Sequence, residues 1–590
     1  MGRIIVSNNE KWRESLKALF SKTELDISYE NDVAVCYKKL CVDNENYVSY
    51  GDNWIISNGT LIYSGSIGKE ALSKLYDEFD GDINKCRSKC LGSYFICIKK
   101  NNKIFLFVDP YATYSIYYYI GDDGFLFSNM YMHIQHCVKQ KFDQDAFLEL
   151  TTTFCILSNE TIFNNIYRLR GNECVVVDKT ICINEVESQD ESFSFTSSGK
   201  MLDTLIARIN EITTVQKRLF GSKAIFITGG LDSRFVAAAT SSVGMDASFH
   251  YFGGDTSLEN YNQPDEKIGR EIADTIGGKY TYHDISHDFI SDYEKINEND
   301  LALRGEYTNL YGGSPRLVEM FRNDIDAPCD EYGYFGEFLN SWEQLDEEYN
   351  RPFSLKDFIN RIYMNRHNHT EEKNDAVERR IYNGFLYYIK RNNMNEKDLS
   401  KSDCCKLYSF YRLRADVIMC NFSNVFRYNY ILLGQPDIFP IIRNIPYEWK
   451  KGPQISLMLT DNLYSKLLSI PIFSHGKWRV IDENYCYTKN TMLTIKDMIR
   501  AILVKIMGTK GYGVFSYIRH KARKLVIDDK TNSLMKDWKI IDYCKEEYKR
   551  IGMIDLVWKD TSECHAALVA EPLIMLKLVS DYLIDDRAKG

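Results

Sequence analysis

At 590 residues the chain is too long for one compact core and divides into two or more domains. A formal net charge of −9 removes any overall electrostatic case for nucleic-acid binding, and no stretch reaches the ~18–20 uninterrupted apolar residues of a membrane span. Eleven prolines among 590 residues leave little room for a long Pro-rich linker, so the chain reads as packed and ordered.

The first third reads as strands. DVAVCY (32–37), NWIISNGTLIYSG (53–65), SYFICIKK (93–100), KIFLFVD (103–109), SIYYYIG (115–121) and GFLFSN (124–129) are β-branched or aromatic and broken by Asn, Asp and Gly. The tripeptide NNK (101–103) marks a hairpin turn. One helix, KEALSKLYDEF (69–79), interrupts them, with Leu72, Leu75, Tyr76 and Phe79 at helical spacing. This is the pattern of an α+β domain of stacked antiparallel sheets over residues 1–195, closed by the polar linker VESQDESFSFTSSGK (186–200).

Residues 196–590 change character. AIFI (224–227), DASFHYF (246–252) and KYTYHDIS (279–286) are strands, separated by a helix after 230 and by DEKIGREIADTIG (265–277), which Gly277 and Gly278 stop. Strand–helix alternation implies an α/β parallel sheet with right-handed crossovers. Beyond 340 the pattern is mostly helical.

The informative stretch is KAIFITGGLDSRFVAAAT (223–240). In a parallel sheet, ligands bind outside the carboxyl ends of the strands. Gly229 and Gly230 remove side chains there, the following helix offers its positive end, and Thr228 and Ser233 add hydroxyls, so Thr228, Gly229, Gly230, Leu231, Asp232 and Ser233 form a phosphate cradle. Asp232 would repel phosphate unless a cation stands between, and Mg²⁺ binds a carboxylate together with phosphates. The simpler alternative is a helix start capped by Asp232. No Gly-Lys-Ser/Thr follows, and there is no G-x-G-x-x-G turn.

TGGLDSR after a strand resembles the pyrophosphate loop of N-type ATP pyrophosphatases, which split ATP between the α and β phosphates and adenylate a substrate. Residues 91–134 are similar to the amidotransferase-type domain of asparagine synthetases, through Gly92, Asp109, Tyr118, Phe127 and Ser128, and TIFNNIYRLRGNECVVV (161–177) resembles another strand of that domain. The chain thus resembles the asparagine synthetase-like family, the group that also holds β-lactam synthetases and lasso-peptide cyclases. The resemblance implies an N-terminal Ntn-hydrolase-like domain and a C-terminal adenine nucleotide α-hydrolase-like domain with a large helical extension. It implies ATP and Mg²⁺ as cofactors, adenine lying near Phe249–Phe252, and small-molecule or peptide carboxylate and amine substrates. It admits a homodimer.

Two departures sharpen it. Residue 2 is Gly where asparagine synthetases carry the glutaminase cysteine, so the N-terminal domain is expected to be a scaffold rather than a glutaminase. In CDEYGYFGEFLNSW (329–342), Tyr334 falls at the position of the catalytic tyrosine of β-lactam synthetases, and Glu337 at the metal carboxylate position, shared with Asp232. A phenol relayed by a carboxylate can take a proton from an attacking amine. Glu371 and Glu372 lie at a suitable distance along the chain to be that carboxylate, but nothing local matches. Lys477, in PIFSHGKWRV, and Lys510, in MGTKGYG, are candidates for the lysine that stabilises the family's intermediate, with Lys477 preferred.

The expected activity is an AMP- and pyrophosphate-forming carbon–nitrogen ligase. The alternatives are an ammonia-dependent amidating enzyme acting on a sugar acid or peptide, and an idle adenylate-binding scaffold. Sixteen scattered cysteines without a CxxC pair read as free thiols, Val6 spoils a myristoylation signal at Gly2, and the start lacks a secretory core, so a cytoplasmic location is expected. His367 and His369 lack a third metal ligand in range, and the basic stretch 498–526 reads as a solvated helix face rather than a membrane or anion contact.

Overall fold

A computed structural model describes residues 2–153, 155–186, 195–253, 259–284, 291, 293–294, 315–340, 353–362, 371–450, 452–474, 477–481, 538–550, 573 and 576. In the N-terminal part, two six-stranded sheets stack face to face. One holds Arg3–Ser7 between Gly124–Ser128 and Ala34–Tyr37, all antiparallel. The other runs through Asn53–Gly59, Tyr94–Lys100, Lys103–Val108 and Glu173–Val177, again antiparallel. Strand alternation explains the layering. Ile4, Val6, Ala34 and Cys36 from one sheet meet Trp54, Ile56, Phe95 and Leu106 from the other. The outer face of the second sheet, through Ile55, Ile96 and Ile98, packs on Leu72, Leu75 and Phe79 beside the helix Gly68–Glu78.

The hairpin at 101–103 is as the sequence predicts. Asn101 and Asn102 both sit in the left-handed region, at φ 54 and φ 62, which suits a two-residue turn between twisted strands. The single helix expected in this region is a correction. Glu10–Phe20, Tyr131–Val138 and Gln144–Thr153 are helical too, and the strand Arg3–Ser7 carries no alternation that would reveal it. The resemblance positions gain physical reasons. Gly92 holds φ +107, and a Cβ there would meet the Thr60 carbonyl oxygen at 2.1 Å. Asp109 is buried and accepts from the amides of Thr113 and Tyr114, each at 2.9 Å, which fixes the strand exit.

The C-terminal part holds a five-stranded, all-parallel sheet. Its spatial order is Lys279–Asp284, Asp246–Gly253, Ser222–Phe226, Cys329–Tyr332, Tyr428–Tyr430. The chain winds one way through the first three strands and then reverses, so the direction switches between Ser222–Phe226 and Cys329–Tyr332. Helices Leu231–Ser242, Ser198–Phe220 and Gln454–Tyr464 pack together beside the sheet. Their core joins Ile225, Phe235, Phe249, Ile268 and Leu459. Cys329–Tyr332 was not expected as a strand, because CDEY looks polar. Both acids are buried and paired. Lys223 and Glu331 form an ion pair with both side chains fully buried. Asp330 accepts from Ser423 Oγ at 2.5 Å and faces Arg427.

The two parts are joined tightly. Leu40 and Cys41 donate to the carbonyls of Val425 and Phe426 at 3.0 and 2.8 Å. Lys39 Nζ donates to the Asn424 carbonyl at 2.5 Å, and Gly92 donates to Gln435 Oε1 at 2.7 Å. One hydrophobic core runs through both, from Ile5 and Leu126 to Phe226 and Phe321. Each described cysteine is a free thiol, most of them buried. Among the described residues, no helix is long and apolar enough to cross a membrane. Lys510, His367, His369 and all of 498–526 lie outside the described residues.

Candidate active site

The loop 228–233 leaves the strand Ser222–Phe226 at its carboxyl end and opens the helix Leu231–Ser242. Thr228 Oγ1 and Ser233 Oγ lie 3.1 Å apart, and Ser233 Oγ also accepts from the Thr228 amide at 3.1 Å. The two hydroxyls therefore brace the loop against itself. Gly229 is required by close approach. A Cβ there would meet Asp265 Oδ1 at 2.5 Å and Ile268 Cδ1 at 2.9 Å. Its amide bonds to the Asp265 carboxylate, whose pKa burial pushes up. This narrows the expected cradle. The hydroxyls and the amides of Gly229 and Gly230 are already engaged, which leaves only the orphan amides of the first helical turn.

Asp232 is not a cap. The N-cap position is Gly230, with no side-chain cap bond, and Asp232 is the second helical residue. Its carboxylate points to the turn after Cys329–Tyr332, the strand next door. A Cβ on Gly336 would lie 2.2 Å from Asp232 Cγ, and one on Gly333 would lie 2.6 Å from the Ser233 amide nitrogen. The two glycines let this turn lie flat across the helix start. Phe335, between them, holds φ 70 with its ring buried against Phe338. That left-handed conformation is costly for a bulky residue, on the order of 1–3 kcal/mol, and packing over-determines it.

The turn brings Glu337 up to Asp232. Glu337 acts electrostatically on Asp232, the residue with which the resemblance pairs it. Burial first, and then the Glu337 charge, raise the pKa of Asp232 to about 7. Arg412, from the helix Lys401–Ala415, opposes this by bonding Glu337 Oε1 at 2.5 Å through Nε and Asp416 Oδ1 at 3.0 Å through Nη2. Asp416 is also raised, by burial and then by Glu337. Three carboxylates thus crowd one guanidinium. Arg412 and Asp416 escaped sequence reasoning; their one signal is the i,i+4 spacing within a helix that matches no motif. Among the described residues, no three acidic, histidine or cysteine side chains form a closed metal cage.

Tyr334 lies in the same turn, half-buried, its ring stacked on Tyr332 at 5.1 Å, and Tyr332 stacks on Phe226 at 4.6 Å. The side chains of Glu371 and Glu372 lie outside the described residues. Lys477 opens the second strand of a hairpin, Ile472–Ser474 with Lys477–Arg479, where it pairs with Ser474. Its side chain lies outside the described residues. The hairpin is anchored to the loop helix by Arg234, which follows Ser233. Its fully buried guanidinium donates to the carbonyls of Leu467, Ile470 and Pro471 at 3.2, 2.7 and 3.1 Å. Lys267 lies over the Trp478 ring at 5.4 Å, tying the hairpin to the neighbouring helix Glu259–Ile276.

The strand 246–253 forms where the sequence predicts one. Phe249 is fully buried against Gly278, and within Phe249–Phe252 only Phe252 at the carboxyl end is partly exposed. His250 Nδ1 and His283 Nε2 lie 2.8 Å apart, between Ser248 and Asp324. Burial and then His283 push the pKa of His250 down to about 3, which leaves it neutral.

No family model and no curated protein matches the chain. Among solved structures it is similar to a glutamine phosphoribosylpyrophosphate amidotransferase from B. subtilis complexed with ADP and GMP, at 11% identity over 50% of this chain and 70% of that one, with a TM-score of 0.21. It is similar to the U34-tRNA thiolase NcsA from Methanococcus maripaludis with its [4Fe-4S] cluster, at 10% identity over 57% and 84%, TM-score 0.21. A third is an allosteric regulatory enzyme of purine biosynthesis, at 11% over 44% and 69%, TM-score 0.19. TM-scores this low carry no argument about the chain.

Proposed function

We propose that the chain is an ATP-dependent ligase that adenylates a substrate carboxylate and passes the acyl group to an amine, releasing AMP and pyrophosphate. The observation that carries this is the meeting of Asp232 and Glu337. They follow adjacent strands at the point where the sheet reverses its winding, which is where open α/β sheets bind ligands. A half-buried carboxylate whose pKa is raised by burial and by a second carboxylate beside it fits a cation between the two. Mg²⁺ suits a site with one or two carboxylates, because phosphate oxygens and water complete its shell. Glu337 Oε1 is held by Arg412, which orients the Glu337 carboxylate beside Asp232. Mg²⁺ would neutralise phosphate charge there.

The first helical turn after Gly230 would hold the pyrophosphate end with its amides and its positive pole. In the first step a substrate carboxylate oxygen bonds to the α-phosphorus as the bond to the bridging oxygen breaks, and pyrophosphate leaves. In the second an amine nitrogen bonds to the acyl carbon, AMP leaves, and the amine loses a proton. Tyr334 sits in the turn beside Glu337 and is assigned to that proton, and Lys477 to the developing negative charge. The amine is taken as substrate-borne, since position 2 has no room for a nucleophilic side chain. A Cβ on Gly2 would meet the Lys38 carbonyl at 2.8 Å and the Val425 carbonyl at 3.1 Å. ATP–pyrophosphate exchange across a panel of amino-, sugar- and peptidyl-carboxylates tests the reading. Exchange that needs Mg²⁺ and is lost in Asp232→Ala is expected. No exchange with any acid would favour a binding scaffold instead.

A further inference from the structure

A second site lies on the opposite side of the helix that carries Arg412. A cavity of about 850 Å³ opens between the two parts of the chain, within the size range of small-molecule sites. Six arginines line it: Arg87, Arg170, Arg208, Arg391, Arg414 and Arg443, against one lining acid, Asp437. Arg412 and Arg414 are two residues apart, about 200° around the helix, so they serve opposite faces. None of the residues 228–233 or 333–337 borders the cavity.

Part of this positive charge is already answered. Arg170 pairs with Glu173 at 3.0 Å, and Arg208 with Glu211 at 2.9 Å. Arg87 is met by the backbone carbonyls of Val108 and Glu173, with its Nε unbonded. Arg414 lies over the Phe410 ring at 5.8 Å, and its buried Nη1 has no hydrogen-bond partner. Burial, with Arg168 and Arg170 nearby, pushes its pKa down to about 9. Arg391 stands at the exposed rim without an ion-pair partner among the described residues. Guanidiniums gathered at this density around one lining carboxylate, with Arg87 and Arg414 drawn out of water, are stabilised by an anion, and their planar forks match carboxylate and phosphate oxygens. Tyr388 and Phe410, stacked at 4.6 Å, supply a flat apolar wall.

We propose that this cavity binds a small, multiply charged organic anion, its oxygens held by Arg87, Arg391 and Arg414 and its body against Tyr388 and Phe410. The proposal stands apart from the nucleotide reading and survives its failure. Calorimetric titration of the full-length protein in EDTA, at matched ionic strength, tests it with citrate in one arm and inorganic tripolyphosphate in the other. Saturable binding of at least one probe is expected, and the arm that binds tells carboxylate from phosphate recognition. Arg391→Ala and Arg414→Met should each weaken that binding at least tenfold, and Asp232→Asn should leave it within twofold. If Arg414→Met fails to fold, the rim variant decides. No saturable binding in either arm, binding unchanged in the arginine variants, or binding lost in Asp232→Asn would each overturn the proposal.

Discussion

Gly2 and Gly336 are both too crowded for a side chain, but for different reasons. At Gly2 the obstacles are backbone carbonyls, Lys38 and Val425, contributed by both parts of the chain. That position is a sealed seam. At Gly336 the obstacle is a carboxylate, Asp232, which is held against a second negative charge at a cost to folding. Backbone closes the first position, whereas at the second, beside the sheet's switch point, Arg412 offsets the like charge only in part.

One added methyl at each position should separate the two. Gly336→Ala pushes the Asp232 carboxylate aside, and pyrophosphate exchange per folded molecule should fall at least a hundredfold. Gly2→Ala should instead cost about 1–3 kcal/mol by overpacking, with exchange per folded molecule unchanged. Arg234→Met sharpens the link between loop and hairpin. It leaves three carbonyls without their donor, and urea unfolding should show a loss of about 3 kcal/mol.

A smaller effect comes from Asp232 itself. Its native pKa, about 7, lies above the ordinary aspartate value of 3.8. The native state therefore binds more protons than the unfolded state between those values, and stability falls as pH rises through the window. Without divalent cations, Asp232→Asn should be more stable than the parent at pH 8 by on the order of 2 kcal/mol. The difference should vanish below pH 4. Unfolding at pH 4, 6 and 8 in EDTA checks the sign.

Local chemistry was legible in the sequence, and long-range assembly was not. The loop Thr228–Ser233 announces itself because glycines, a hydroxyl and a helix start are contiguous. The asparagine hairpin at 101–102 does so for the same reason. The partnership of Asp232 with Glu337 was reached only through a family resemblance, since spacing along the chain says nothing of adjacent strands. Cys329–Tyr332 was hidden because Asp330 and Glu331 read as surface residues until Lys223 and Arg427 are seen across the sheet. Arg412 and Asp416 were hidden for a like reason: their meaning lies in Glu337, 75 residues away for Arg412.

The central claim is that Asp232 and Glu337 share one cation beside a nucleotide. Mn²⁺ titration followed by electron paramagnetic resonance, with an ATP analogue that cannot be cleaved between the α and β phosphates, tests it most directly. Asp232→Asn and Glu337→Gln should each weaken Mn²⁺ binding at least tenfold, with the double variant little worse than either alone. Unchanged affinity in the single variants, or losses that simply multiply in the double, would contradict a shared cation.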